Sequence, residues 1–315
     1  MKEIGGYFGL EQFTDRGMYS HLIAVNSARN ALVYLIKARK IEKLYIPYYL
    51  CDSVSGVCER EGCAYEYYNI GEDFRPIFDK KLASNEYLYV VNYFGQIDDS
   101  EIIYLKNKYE RVIFDNVQAF FRRPVAGIDT VYSCRKFFGV PDGGYVSTEA
   151  ILEEELQLDI SMDRMKHVLG RFEGESASMY YGDFRENDES FVAMPLRQMS
   201  LLTQNIMAAA DYDRVKEQRE KNFAFLNEKL GKCNGLKVKM TEGPYVYPFY
   251  CENGMEIKKK LAKEKIYVAT LWPEVIEMGQ ELESRLAENI LPLPCDQRYD
   301  EEDMARIVNT INQLI

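Results

Sequence analysis

The segment that decides the fold reads Ser133-Cys134-Arg135-Lys136-Phe137-Phe138-Gly139-Val140-Pro141-Asp142-Gly143-Gly144. Its lysine, Lys136, stands three residues after a serine and shortly before a Gly-Gly pair. Asp115 lies 21 residues upstream, at the end of the apolar run Val112-Ile113-Phe114. An apolar run that ends in an aspartate predicts a buried strand with a carboxylate at its C-terminal end. We therefore expect Lys136, on a later loop, to face Asp115 across a bound ligand.

This pair of charges suits pyridoxal phosphate. The cofactor needs a lysine amine for its Schiff base and an acid that keeps the pyridine nitrogen protonated. Lys136 is the candidate for the first role and Asp115 for the second. Each residue also has a simpler interpretation, because most lysines are solvated and an aspartate at a strand end often caps the next turn.

Both stretches resemble the DegT/DnrJ/EryC1/StrS family, the fold-type-I pyridoxal-phosphate enzymes often called sugar aminotransferases. The family carries an Asp-x-x-Gln or Asp-x-x-His strand end, here Asp115 and Gln118, followed by a Ser…Lys…Gly-Gly segment. Two C-terminal stretches resemble the family's closing strand and last helix. They are Ile290-Leu291-Pro292-Leu293-Pro294 and Tyr299-Asp300-Glu301-Glu302-Asp303. The resemblance extends from about Asn26 to the end of the chain.

The resemblance implies an α/β fold of type I, with a mostly parallel seven-stranded sheet flanked by helices and a smaller C-terminal α+β domain. We expect the large domain in residues 1–205, including an irregular N-terminal arm over 1–21, and the small domain in 206–315. The sequence pattern independently indicates parallel βαβ units. Strands are predicted at residues 44–46, 64–68, 86–92, 111–115, 129–132, 145–147, 236–238, 245–250, 266–269 and 290–292. Residues 185–190 are predicted to form an exposed loop, and 195–230 one long amphipathic run.

A phosphate site is predicted where the first helix begins. Ser27 is a suitable N-cap, and the free N–H groups after it, with Arg29 nearby, would bind an anion. In the resembling family the same helix start holds the cofactor phosphate, which assigns Ala28 and Arg29 to that role. A plain capped helix is the alternative. The resemblance also assigns Ser133 to the phosphate, Gln118 to the ring oxygen or the substrate, and Asn92 to the substrate.

Two positions depart from the family pattern. Cys51 stands where relatives place an aromatic or histidine ring against the pyridine face, so either this thiol or Tyr48 or Tyr49 would pack on the ring. Pro195 stands where relatives have the asparagine of an Asn-x-Arg motif that reaches the partner subunit's cofactor. Arg197 is therefore either a substrate-binding residue or one that acts in packing.

Composition limits the partners. The net charge is −11, with 50 acidic and 39 basic residues, which argues against a nucleic-acid surface. Seven cysteines without a Cys-x-x-Cys pair, together with two histidines, argue against a metal site and fit reduced thiols. No apolar stretch has the length of a signal or transmembrane segment. We expect a cytoplasmic protein without membrane contacts, and the resemblance implies a homodimer.

The resemblance implies a ping-pong transamination. Glutamate or another amino acid would give its amino group to pyridoxal phosphate, and a nucleotide-linked keto-sugar would receive it, with Lys136 as the acid and base. The corresponding region of relatives places Trp272 and Pro273 near the substrate entrance. Two alternatives remain: a lyase or dehydratase on the same scaffold, which in this family goes with a histidine in place of the lysine, and a non-enzymatic or regulatory protein that keeps the fold.

Overall fold

The computed structural model describes residues 4–13, 17–174 and 176–315. These residues form ten strands: β1 (Ile23–Val25), β2 (Lys43–Pro47), β3 (Ala64–Ile70), β4 (Pro76–Ile77), β5 (Glu86–Val91), β6 (Val112–Asp115), β7 (Asp129–Ser133), β8 (Gly144–Ser147), β9 (Tyr247–Tyr250) and β10 (Ile290–Leu293). The α-helices are α1 (Ala28–Arg39), α2 (Asp52–Glu61), α3 (Asp99–Tyr109), α4 (Lys166–Phe172), α5 (Tyr181–Ser190), α6 (Leu201–Ala208), α7 (Tyr212–Leu230), α8 (Gly254–Lys263), α9 (Pro273–Glu277), α10 (Glu281–Asn289) and α11 (Glu301–Leu314).

The main sheet has the strand order β1-β8-β7-β6-β5-β2-β3-β4. Five neighbouring strands, β7, β6, β5, β2 and β3, are parallel to one another. Strand β8 runs antiparallel to both of its neighbours, β7 and β1. The predicted seven-stranded, mostly parallel sheet is thus confirmed. The two-residue strand β4 pairs antiparallel with β3 and adds an eighth strand at the edge. Strand β6 is apolar and fully buried, as a central parallel strand covered on both faces must be.

The first helix, α1, is buried over a continuous stretch from Asn30 to Ile36. Ser27 caps it as predicted, because its hydroxyl accepts a hydrogen bond of 3.1 Å from the Asn30 N–H. The helix ends at Lys40 in the left-handed conformation. It packs against α2, β7 and β8. These contacts place its N-terminus at the edge where the parallel strands end.

A second, smaller core forms near the C-terminus around the antiparallel pair β9–β10. Helices α7, α8 and α11 pack on it through buried side chains such as Phe223, Leu261 and Ile311. Side chains of α9 and α10, including Val275 and Leu286, join the main core instead. A helix-and-strand mixture at this end agrees with the predicted α+β region. The boundary between residues 205 and 206 stays a prediction.

Four local predictions are wrong. Residues 236–238 and 266–269 form no strand, because no neighbouring strand pairs with them. Backbone N–H groups of these residues donate to acceptors outside any sheet. The Leu236 N–H donates to the Asn234 side chain, and the Ile266 N–H donates to the Leu261 carbonyl. Residues 185–190 belong to helix α5 rather than to a loop. The run over 195–230 is divided into α6 and α7, since Asp211 caps a new helix.

The N-terminal arm is irregular where the structure describes it. Residues 4–13 and 17–21 contain no helix or strand, whereas 1–3 and 14–16 of the predicted arm lie outside the described residues. The arm contacts α6, because the Asn205 side chain accepts from the Phe13 N–H and donates to the Glu11 carbonyl. Within the described part of the chain, no helix has the length and apolar character needed to cross a membrane.

Candidate active site

A cavity of about 460 Å³ opens at the carboxyl ends of the parallel strands. Ligands bind at this edge in open α/β sheets because the loops that follow neighbouring strands meet there. The structure brings seven of the predicted site residues to its wall: Ala28, Arg29, Cys51, Asp115, Gln118, Ser133 and Lys136. They lie at four different places along the chain, after β1, β2, β6 and β7, so only the tertiary structure assembles them.

Lys136 lies on the turn that follows β7 and is half-buried. Its Nζ is 5.3 Å from the centroid of the Tyr245 ring. Within the described residues its ammonium group has no hydrogen-bond or salt-bridge partner. The turn itself is well held, since the N–H groups of Phe137 and Phe138 both donate to the Cys134 carbonyl. The lysine amine is therefore held at the cavity and available to a ligand.

Asp115 ends β6 and is almost fully buried. Its Oδ1 accepts from the Val117 N–H and its Oδ2 from the Tyr89 hydroxyl, both at 2.8 Å. Burial raises the pKa of the Asp115 carboxyl, although these two hydrogen bonds and the charge of Lys136 act in the opposite direction. A cationic group of a ligand placed against Asp115 would stabilise its ionised form.

Gln118 has a free hydrogen-bond donor in the cavity wall. Its Oε1 accepts from the Phe94 N–H at 2.9 Å, which fixes the orientation of the side chain. Its Nε2 is buried and has no partner among the described residues. A buried, unpaired donor costs about 1–3 kcal/mol, so the site is suited to a ligand that presents an acceptor oxygen here.

The candidate anion-binding end of the cavity lies at the start of α1. The N–H groups of Ala28 and Arg29 donate to no acceptor in the described part of the chain, and Ser133 contributes a hydroxyl. A Cβ on Gly144 would lie 2.7 Å from the Ser27 carbonyl carbon, so only glycine lets β8 approach the helix start this closely. The combination of free N–H groups and a helix N-terminus favours a phosphate.

Two arginines at this end share one carboxylate. Asp188 of α5 lies 3.6 Å from Arg29 and 2.9 Å from Arg135. Burial favours a raised pKa for Asp188, but the charges of Arg135 and Arg29 outweigh it and lower the pKa. Sequence analysis does not identify Asp188, because it predicts an exposed loop over residues 185–190. The helical spacing of Asn187 and Phe191, both buried, was the available signal.

Of the three candidates for the ring face, only Cys51 lines the cavity. Tyr48 stacks on Tyr67 with the ring centroids 4.8 Å apart, and Tyr49 is buried against Tyr93. Burial raises the pKa of the Cys51 thiol, which keeps it neutral and suited to packing. The side chains of Cys51, Asp52 and Glu274 bring three potential ligand atoms within 4.8 Å of one another.

Two predicted substrate residues are not brought to the cavity. Asn92 is fully buried, and its amide is used by the Ile97 N–H at 2.8 Å and by Asn116 at 3.0 Å. It therefore stabilises the loop after β5. Arg197 lies outside the cavity and forms a 3.4 Å ion pair with the buried Asp159. The packing alternative for Arg197 agrees with this position.

Part of the cavity wall comes from the C-terminal part of the chain. Trp272, expected near the substrate entrance, lies there together with Tyr245 and Tyr267. Two charged residues at this wall, Asp296 and Arg298, were missed in the sequence. Their position directly after the Ile290–Pro294 segment, which resembles the family's closing strand, is the sequence signal that could have identified them.

No protein-family model and no curated protein matches this sequence. Solved structures do match in fold. A putative sugar aminotransferase of Streptococcus pneumoniae, Spr1654 in its pyridoxal-phosphate form, is 14% identical, with a TM-score of 0.66 over 93% of this chain and 87% of the other. A DegT DnrJ EryC1 StrS aminotransferase from Brucella abortus is 16% identical, with a TM-score of 0.63 over 93% and 85%.

This chain has the fold of the sugar aminotransferases. DesI, solved in the presence of its TDP-sugar product, agrees at 14% identity and a TM-score of 0.64, over 92% of this chain and 79% of the other. The predicted fold-type-I architecture is thereby confirmed. At these identities the likeness shows the fold alone.

Proposed function

We propose that this protein is a pyridoxal-phosphate-dependent aminotransferase. The observation that carries the proposal is the meeting of Lys136, Asp115 and the unpaired Gln118 donor in one cavity of the fold. It would move an amino group from an amino acid such as glutamate to a keto acceptor. A nucleotide-linked keto-sugar is the acceptor class we propose, supported by the TDP-sugar product present with DesI.

The residues present fit the cofactor. The N-terminus of α1, Ser133 and the arginines Arg29 and Arg135 would hold its phosphate, and Cys51 would pack against its ring. Gln118 offers a donor to the ring oxygen. When bound, pyridoxal phosphate supplies an electron sink that allows a bond at the substrate's α-carbon to break.

Two side chains would handle protons. The Asp115 carboxylate would hold a proton at the pyridine nitrogen, and a buried carboxylate does this more strongly than an exposed one because water does not screen it. The Lys136 amine would take a proton from the substrate carbon and return it at the cofactor carbon. Its turn is fixed by backbone hydrogen bonds, so the amine stays within reach of both positions.

We also propose that the protein is a cytoplasmic homodimer, as the resemblance implies. Large apolar side chains are exposed between residues 151 and 201, where a partner subunit would cover them: Ile151, Ile160, Met162, Phe172, Val192 and Leu201. All seven cysteines are free thiols in the structure, which agrees with a reducing compartment.

The test is the visible spectrum of the purified protein with added pyridoxal phosphate. We expect the wild type to show the absorption band of lysine-bound cofactor and Lys136→Ala to lack it. Lys221→Ala, which removes an exposed lysine of α7 outside the cavity, should keep the band. Glutamate should abolish the band in the wild type as the amino group is transferred.

Other outcomes separate the alternatives. A band that does not require Lys136 would refute the assignment of the lysine. Complete absence of a band would favour the non-enzymatic protein. A Lys136-dependent band that no amino acid changes, with release of ammonia or water from a substrate, would favour the lyase or dehydratase.

A further inference from the structure

The tip of the N-terminal arm carries apolar side chains that nothing in the described part of the chain covers. Ile4, Tyr7 and Phe8 are 97–99% exposed. A Cβ added at Gly6 or Gly9 would meet no atom within 4 Å, so the backbone of this segment is uncovered as well. Large exposed apolar side chains grouped in one segment are typical of a surface that binds a partner.

The arm leaves the body of the subunit at α6, beside the exposed apolar patch that we assign to the subunit interface. Asn205 holds the arm by accepting from the Phe13 N–H and donating to the Glu11 carbonyl. Leu201, which belongs to the patch, lines the same groove as Phe13. Residues 4–10 extend beyond this anchor, and an extended chain of this length spans about 20 Å. The tip can therefore reach a second subunit across the interface.

A second cavity, of about 790 Å³, adjoins the first cavity at Lys136. Among the described residues, its wall contains six Phe and Tyr side chains and five Lys and Arg side chains, against the single carboxylate of Asp296. Phe172 lines this cavity, is 85% exposed and belongs to the same apolar patch as Leu201. Such a wall suits aromatic side chains, because ring edges pack on ring faces and a guanidinium packs on a ring face.

The apolar patch thus contains two complementary features, the start of the arm at Leu201 and the second cavity at Phe172. In a two-fold symmetric dimer the patch contacts its own copy, so one part of it meets a different part of the partner's patch. The arm of each subunit can then lie on the second cavity of the other. The described arm, residues 4–13, contains no lysine or arginine that the basic wall would repel.

We propose that Tyr7 and Phe8 of each subunit occupy the second cavity of the other subunit, beside its lysine. The proposal rests on the homodimer proposed above and adds the segment that completes each active-site region from the other chain. The aminotransferase activity is tested separately by the cofactor spectrum, so the failure of one proposal does not decide the other.

Paired cysteines test the contact between subunits. Gly9→Cys and Ala177→Cys change two exposed residues, one next to Phe8 and one in the wall of the second cavity, and keep every aromatic side chain. We expect mild oxidation with copper phenanthroline to convert the double variant into a covalent dimer on a non-reducing gel. Gly9→Cys/Asn107→Cys, with its second cysteine at an exposed position of α3, is the matched control and should migrate as a monomer.

Each single variant should also migrate as a monomer, which excludes cross-links through the seven native cysteines. A disulfide formed within one chain would place the arm on its own cavity and overturn the proposal. Failure of the double variant to form any disulfide would overturn it too, as would equal dimer formation by the control pair.

The dissociation constant of the dimer provides a second test, by analytical ultracentrifugation. Tyr7→Ala/Phe8→Ala should raise it about 10²-fold, because each arm loses two buried aromatic anchors. Ile103→Ala/Tyr104→Ala removes an adjacent exposed pair from α3 and should leave it unchanged. A monomeric wild type, or equal constants for the wild type and Tyr7→Ala/Phe8→Ala, would contradict the proposal. Neither experiment requires pyridoxal phosphate.

Discussion

At the scale of single residues, the cavity contains groups that are costly without a ligand. The Gln118 Nε2 is a buried donor without a partner, and burial raises the pKa of the Asp115 carboxyl. Each of these costs is reduced by a ligand with an acceptor oxygen near Gln118 and a cationic nitrogen near Asp115. Binding sites typically contain such unfavourable groups, which lower the free energy of unfolding of the protein without its ligand.

Asp115→Asn separates stability from activity. Asparagine keeps the volume and removes a buried charge, but its one acceptor oxygen can serve the Tyr89 hydroxyl or the Val117 N–H and not both. We expect the melting temperature of the cofactor-free variant to stay close to that of the wild type, because the lost hydrogen bond offsets the relief from burying a charge. The rate of the glutamate half-reaction should fall about 10²-fold or more, since the proton at the pyridine nitrogen loses its counter-charge.

Asp213→Asn, which changes an exposed carboxylate at the start of α7, should alter neither property. If Asp115→Asn destabilised the protein strongly and kept full activity, Asp115 would be a structural cap of its turn, and its assignment to the cofactor would be wrong.

At the scale of elements, the proposed phosphate end of the cavity depends on how closely β8 approaches α1. The Gly144 Cα lies against the backbone of Ser27 and Ala28. Ser27 satisfies the Asn30 N–H, which leaves the first two N–H groups of the helix directed to the cavity. A sheet strand and a helix start therefore form the anion site together.

Gly144→Ala should weaken cofactor binding. The added methyl would come within 2.8 Å of the Ala28 backbone nitrogen, so the helix start or the strand must shift. We expect the dissociation constant for pyridoxal phosphate, measured by fluorescence titration, to rise about 10-fold or more, together with a loss of stability of about 1–3 kcal/mol.

Gly56→Ala is the matched control, because Gly56 lies inside α2 and a Cβ there meets no atom within 4 Å. It should stabilise the protein by about 0.5–1 kcal/mol and leave cofactor affinity unchanged. Unaltered affinity in Gly144→Ala would show that the phosphate does not bind at the start of α1.

At the scale of the whole molecule, one buried arginine links the main fold to the C-terminal segment. Arg219 of α7 is nearly inaccessible and donates to the Phe137 carbonyl, the Pro244 carbonyl at 2.9 Å and the Gln297 side chain. Its guanidinium also packs on the Phe137 ring at 4.6 Å. The lysine turn and the wall that carries Arg298 are held together by this side chain.

Arg219→Met should lower the free energy of unfolding by about 2–4 kcal/mol, because it leaves several buried acceptors unpaired. Urea denaturation of the cofactor-free protein measures this. Arg214→Met on the same helix changes an exposed arginine and should cost less than about 0.5 kcal/mol. Equal effects of the two substitutions would contradict the linking role of Arg219.

The parallel sheet and one end of the cavity can be predicted from the amino-acid sequence. Apolar runs that end in polar residues, such as Val112–Asp115, mark buried strands, and the carboxyl ends of parallel strands meet at one edge. Local order along the chain therefore predicted that Asp115, Ser133 and Lys136 share a cavity. The same local reasoning placed Ser27 as the cap of α1, because a cap depends on residues within one turn.

Which distant segments complete the cavity becomes visible only in the tertiary structure. Asp188, Asp296 and Arg298 lie 52 to 162 residues beyond Lys136, and the local signals near them, a helical spacing and a closing strand, do not indicate that they line the same cavity as Lys136. Asn92 is likewise the last residue of a predicted strand, yet its amide oxygen accepts from the Ile97 N–H in the following loop and does not reach the cavity. Long-range packing decides which side of a strand end faces the cavity and which distant segment completes the cavity wall. The spacing of residues along one segment carries no information about such packing.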